Sequence, residues 1–287
     1  MSRRKLAAVL FYLTLFALGV WAVYTYLPTD LQPSSAGRLP SIGVDWIVSF
    51  RPAARSLLDL ESPYTIPGFF NPPWALIPLL PFALLPAGLG AAFLFVLNIF
   101  SLVFAGKRMR MNVLALVVFL LFSGTLVNAW NGNIEGLLAI GFILPPQVGL
   151  FFVLCKPQFG LGVAIFWIVQ AWREGGIRKV ARVVAPVSIA LGISFVLFGF
   201  WPARTPSLVD MRWNTSLYPY GVPIGLALLA GSLWSRNIFL AMASSPFFAP
   251  YVAGHTWAVT WLGILLLVPE RIRIFHLVRK YVNIPQT

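Results

Sequence analysis

The chain has 287 residues, of which 59% are apolar and only 10% charged, and its mean hydropathy is +0.83. A soluble domain carries about 25% charged residues, so too little polar surface is available here to cover a water-soluble globule. The net charge of +13 sits in small clusters at the ends of apolar runs (Arg3, Arg4 and Lys5; Lys107, Arg108 and Arg110; Arg173, Arg178, Lys179 and Arg182; Arg271, Arg273, Arg279 and Lys280). This is the positive-inside pattern of a membrane protein and not the basic stripe of a nucleic-acid binder.

Several stretches are nearly free of charge for about the 20 residues that a helix needs to cross the hydrocarbon, and the short alternating segments of a membrane barrel are absent. The expected fold is therefore all-α, a polytopic transmembrane bundle. The first apolar run, Leu6 to Leu27, follows a basic start but is too long for the apolar part of a signal peptide. It reads as a retained helix with a cytoplasmic N-terminus. A polar stretch follows, within which residues 45–59 (DWIVSFRPAARSLLD) have the mixed spacing of a short helix lying on the membrane surface.

Residues 71–86 (NPPWALIPLLPFALLP) are apolar but short, with prolines at 72, 73, 78, 81 and 86 that each remove a backbone donor. A crossing there would put Lys107, Arg108 and Arg110 outside, so the segment reads as juxtamembrane or re-entrant, and 29–86 as one external loop. Beyond it, 87–106 runs inward and 111–130 outward. Residues 133–173 hold three short crossings broken at Pro145-Pro146 and Lys156-Pro157, and 183–201 goes out again. After a polar loop, 220–235, 237–250 and 252–268 complete a set of about ten crossings in a single domain, with both termini cytoplasmic. The acids Asp30, Asp45, Asp59, Glu61, Glu135 and Asp210 all fall on the outer side of this arrangement.

Asp45 opens the surface helix, where an acid favours the positive helix end; it is either an ordinary N-terminal acid or a general base beside the bilayer. Lys156 lies in VGLFFVLCKPQFGLGVAIFW, apolar on both sides and followed by a helix-breaking proline. A cation there is either the snorkelling end of a short helix or a ligand for phosphate in a cavity open to the outer leaflet. Arg51, Arg55, Arg204 and Arg212 are exterior cations that can contact headgroups or grip a phosphate. His255 is the one non-cytoplasmic histidine of the scheme, able to assist an acid or base or to serve as a buried structural residue. Cys155 is the chain's single cysteine and cannot form an intrachain disulfide. No Walker loop, dinucleotide fingerprint, metal-spaced cluster or Ser-His-Asp set is evident, so neither cofactor nor metal is expected.

The order of parts resembles the GT-C membrane glycosyltransferases, specifically glycosyltransferase family 87. An aspartate follows helix one (GVDWIVSFRPAARSLLDLESPY, 43–64), then a Pro-Pro juxtamembrane run (69–86) and an Asn-ended helix (FLFVLN, 93–98). A WNGN turn (130–133) precedes Lys-Pro-Gln (156–158), an outer loop ends in NTSL (214–217), and a late Ser-Pro turn carries a tyrosine (SPFFAPY, 245–251). The chain departs from the family in being short and in lacking the usual Trp and paired His after Ser-Pro.

The resemblance implies sugar transfer, with mannose or a pentose favoured, from a polyprenyl-phosphate carrier to a lipid or glycan acceptor on the non-cytoplasmic face. It implies Asp45 as catalytic base with His255 assisting, and the donor phosphate at Lys156 with Arg51, Arg55, Arg204 and Arg212. Tyr64, Asn133, Gln158, Asn214 and Tyr251 would meet the substrates. A bacterial plasma membrane is the favoured setting. The rival readings are a lipid or solute transporter and a non-catalytic scaffold related to such enzymes.

Overall fold

The computed structural model describes residues 3–29, 41–204 and 210–268. Asp30, Arg38 and the C-terminal basic cluster lie outside them, as does the side chain of Arg204. All named elements are helical, and the extended pairing between Asn214 and Ala253 is a single bridge.

The first helix, α1 (Arg3–Tyr26), is apolar on all sides. Only 6% of its most apolar 18-residue window is buried, so most of its surface is left for lipid. One stripe packs on α4 (Ala87–Arg108), where Val20 meets Ala92 and Val96, and Phe16 lies against Phe93 and Phe100. The segment after α1 is a π-helical turn (Trp46–Phe50) leading into α2 (Arg51–Leu58), as the spacing of apolar residues led us to expect. The proline-rich run forms a 3-10 stretch (Pro73–Leu79) and the single turn α3 (Leu80–Ala83), shorter together than the roughly 20 residues a helical crossing needs. Arg51 reaches from α2 to the Leu85 carbonyl at 3.0 Å and Arg55 to that of Ala83 at 3.1 Å. These bonds satisfy carbonyls at the end of α3 and in the link to α4.

Among the described residues, three helices are long and apolar enough to cross a membrane: α1, α4 and α9 (Pro157–Phe198). A fourth crossing is counted if α5 (Val113–Leu121) and α6 (Ser123–Trp130), bent by 61° at Phe122, act as one span. The expectation of about ten full crossings is not met, for reasons of length. The segment 133–156, expected to hold crossings, consists of α7 (Glu135–Ala139), a 3-10 turn (Ile140–Ile143) and α8 (Pro146–Val153). Each leg is about 12–14 Å long against a hydrocarbon core of about 30 Å. Lys156 returns to touch Asn133 and Glu135, so the two legs form a hairpin that enters and comes back. Two half-length legs stand where two crossings were expected, and the expected direction of α9 does not depend on which of the two it is.

Helix α9 is 42 residues long, but Gly175 and Gly176 leave helical geometry and divide it into arms 157–174 and 177–198. The Lys179 ammonium pairs with Glu174 across this break, among the basic residues expected to mark a cytoplasmic turn. The remaining helices, α10 (Val222–Ser235), α11 (Ile238–Ser244) and α12 (Ala258–Leu266), are short; α10 and α11 pack on each other and on α9, and α12 packs on α11 and α5. One continuous core joins Trp46, Leu76 and Leu94 to Phe119, Phe159, Met242 and Leu262.

Candidate functional site

One end of the bundle gathers the segments 43–46, 130–136, 156, 213–216 and 249–257. The first two are joined by backbone bonds from Gly43 N to Trp130 O, 2.7 Å, and from Asp45 N to Asn131 O, 2.8 Å. Both contacting turns need glycine: Gly43 and Gly132 have φ of +75° and +67°. A Cβ on Gly132 would lie 2.9 Å from Trp46 Cβ and 3.0 Å from Gly43 Cα. The WNGN turn can therefore approach closely enough for its asparagine to reach Asp45.

Asp45 is half-buried, and its Oδ2 accepts from Asn133 Nδ2 at 2.8 Å. The amide of Asn133 can face only this way, because its Oδ1 accepts from Ile134 N at 2.8 Å and from Lys156 Nζ at 3.2 Å. Lys156 is 5% exposed and also donates to Glu135 Oε1 at 2.5 Å, with His255 Nε2 at 3.2 Å. Thr256 Oγ1 donates to the same Glu135 oxygen at 2.6 Å. Behind them Asn98 bonds the Asn133 carbonyl at 2.7 Å, and Asn128 donates to Asn98 Oδ1 at 3.2 Å and accepts from the Glu135 backbone N at 3.3 Å. Charges in such surroundings persist because each has a counter-charge and hydrogen-bonding partners.

The electrostatics follow from burial and this pairing. Glu135 and His255 belong to short elements outside the spanning helices. Burial works against the Glu135 carboxylate, but Lys156 and His255, with hydrogen bonds from Lys156 and Thr256, hold its pKa below the ordinary range. His255 has its pKa pushed below its usual value by burial, with Lys156 adding to that and Glu135 and Asp45 opposing it. The Tyr251 phenol, in the loop before His255, is pushed up by burial and by the charges of Asp45 and Glu135.

The structure therefore brings together Asp45, Asn133, Lys156 and His255, with Tyr251 close by, and joins Asp45 to Lys156 through one amide. The other expected residues have other surroundings. The Lys156 ammonium is enclosed with three partners and does not face an open cavity. Arg51 and Arg55 hold the proline-rich run. The Tyr64 hydroxyl donates to Asn71 O at 3.0 Å, and its ring stacks on Trp201 at 5.4 Å. Asn214 staples two loops, donating to Pro250 O at 3.1 Å and accepting from Ser216 N and Val252 N at 3.0 and 3.1 Å. Gln158 is half-buried in the first turn of α9, and Arg212 is exposed. Glu135 stood out in the sequence only as an outer-side acid. The signal that singled out Lys156, a charge in an apolar run, also applied to GNIEGLLAIGFIL (132–144).

Among the described residues there is no group of three or more His, Cys, Asp or Glu side chains able to hold a metal ion. Comparisons of the chain with protein-family models, with curated proteins and with solved structures give no match. The functional reading therefore rests on the chain's own residues.

Proposed function

We propose that the chain is a membrane glycosyltransferase of the GT-C kind, moving a sugar from a polyprenyl-phosphate carrier to an acceptor hydroxyl on the non-cytoplasmic face. The observation that carries this reading is the half-buried Asp45 carboxylate, held through one oxygen by an amide that Lys156 fixes from behind. A general base needs such orientation together with access for its substrate.

In the proposed step the acceptor oxygen attacks the anomeric carbon as its proton passes to Asp45. The bond from that carbon to the phosphate oxygen breaks, and the phosphate leaves with the electron pair. Attack opposite the leaving group inverts the anomeric centre. Lys156 acts here by fixing Asn133, since its charge is balanced by Glu135. The departing phosphate draws instead on exterior cations, of which Arg212 stands beside the site loop.

The test is consumption of labelled polyprenyl-phosphate mannose and pentose by the purified protein in lipid. Wild type is expected to release the carrier phosphate. Asp45→Asn keeps the shape but cannot take the proton, and is expected to be slower by about 10²–10⁴-fold. Full turnover by Asp45→Asn would overturn the mechanism.

A proton-coupled lipid or solute transporter is the second reading, favoured by the Glu135–Lys156–His255 cluster inside an apolar bundle. Accumulation of the labelled carrier in vesicles without its chemical consumption would select that reading.

A further inference from the structure

We infer that Trp213 is a subsite for the acceptor, and that this acceptor presents a sugar ring, stacked on the indole face next to Tyr251. The inference rests on the transferase reading and narrows its acceptor to a glycan or glycosylated lipid.

Trp213 is 59% exposed, yet it is held in place. Its indole N–H donates to the Tyr251 hydroxyl at 3.0 Å. The residues just after it are fastened to the opposite loop: Thr215 N and Thr215 Oγ1 both donate to Val252 O, at 2.8 and 2.9 Å, and Trp257 Nε1 donates to Thr215 Oγ1 at 3.0 Å. The same loop continues into His255 and Thr256, which bond Lys156 and Glu135. A short, doubly fastened path therefore connects the indole to the network that orients Asp45.

The indole N–H is committed to Tyr251 and not to water or headgroups, which holds the ring as an apolar plate. The C–H face of a sugar ring is apolar and carries slight positive charge, which suits the negative face of indole. Stacking there leaves the sugar's hydroxyls at the rim of the ring, on the side of the indole where the Tyr251 hydroxyl is held.

Binding is tested by saturation-transfer NMR on purified protein carrying Asp45→Asn, so that no turnover intervenes. The probes are the methyl glycosides of mannose, galactose and arabinose, with glycerol as a ringless polyol. At least one glycoside is expected to show transfer to its ring C–H protons, and glycerol none. Adding Trp213→Ala should weaken that binding by about threefold to tenfold, and Trp213→Phe should restore most of it. Equal binding with Trp213→Ala, equal transfer to glycerol, or no glycoside binding at all would overturn the subsite. Loss of lipid association in Trp213→Ala with sugar binding unchanged would make the residue an anchor and likewise overturn it. Glycoside binding without consumption of any carrier-linked sugar by wild type would remove the transferase reading and leave the subsite standing.

Discussion

Lys156 balances Glu135 while fixing Asn133, so taking it away leaves a carboxylate without counter-charge in a site that is 2% exposed. Lys156→Met is therefore expected to cost about 3–5 kcal/mol of stability, and Lys156→Met with Glu135→Gln to recover much of that. Thermal unfolding in detergent measures both, and a fully stable single variant would mean that the pair is not formed. A lysine facing an open phosphate cavity, as the sequence led us to expect, would lose ligand binding and little stability when replaced; the enclosed ammonium reverses that order. His255 supplies a pH dependence. Its folded pKa is lowered from 6.5, so the stability it contributes is present above that value and is lost as pH falls through the lowered one. The melting temperature is expected to drop between pH 7 and pH 5, and His255→Asn to flatten the drop. Asp45, Lys156 and His255 were legible because a charge or imidazole in an apolar chain stands out by itself. The partnership of Glu135 with Lys156 was not, because it depends on the α7–α8 legs folding back, and no spacing along the chain encodes that return.

At the scale of elements, the turn at Gly132 decides whether Asp45 and Asn133 meet. Gly132→Ala must adopt a φ of +67° and displace Trp46, for a cost of about 1–2 kcal/mol from the backbone alone. It is expected to lower the melting temperature and to reduce turnover, as is Asn133→Ala, which removes the amide that holds Asp45. Unaltered turnover in Gly132→Ala would show that the turn can shift without moving the base. The proline-rich run was legible as short and irregular because prolines withdraw donors, and α2 as a short helix because of its mixed apolar and polar spacing. The two arms of α9 were legible at their basic junction. What failed was the counting of short apolar runs as crossings. Composition reports that a segment avoids water, whereas a crossing also needs length, and 133–156 supplies only turns and half-length legs.

For the whole molecule, the length of α4 sets how far apart its two ends lie. Trp46 Nε1 bonds the Ala87 carbonyl at the start of α4, and that helix then runs 22 residues, about 33 Å, to Lys107 and Arg108. Asp45 and that basic cluster therefore lie at opposite ends of a spanning helix. Cysteines placed at the exposed Glu61 and Arg212 are expected to react with an impermeant reagent in intact cells, and one at Lys107 only after permeabilisation. Labelling of Lys107→Cys from outside would invert the molecule.

The brevity of α10, α11 and α12 has a consequence for the lipid itself. At 14, 7 and 9 residues these helices match only part of an ordinary hydrocarbon layer. A bilayer meeting that flank is expected to thin locally, forming a dimple at the side of the bundle that carries His255 and Tyr251. Headgroups would be drawn downward there, and on the proposed transferase reading a carrier phosphate would meet the protein below the plane it occupies elsewhere. Reconstitution into bilayers of increasing acyl length is then expected to slow turnover steadily, with the fold retained, as the dimple becomes costlier to form.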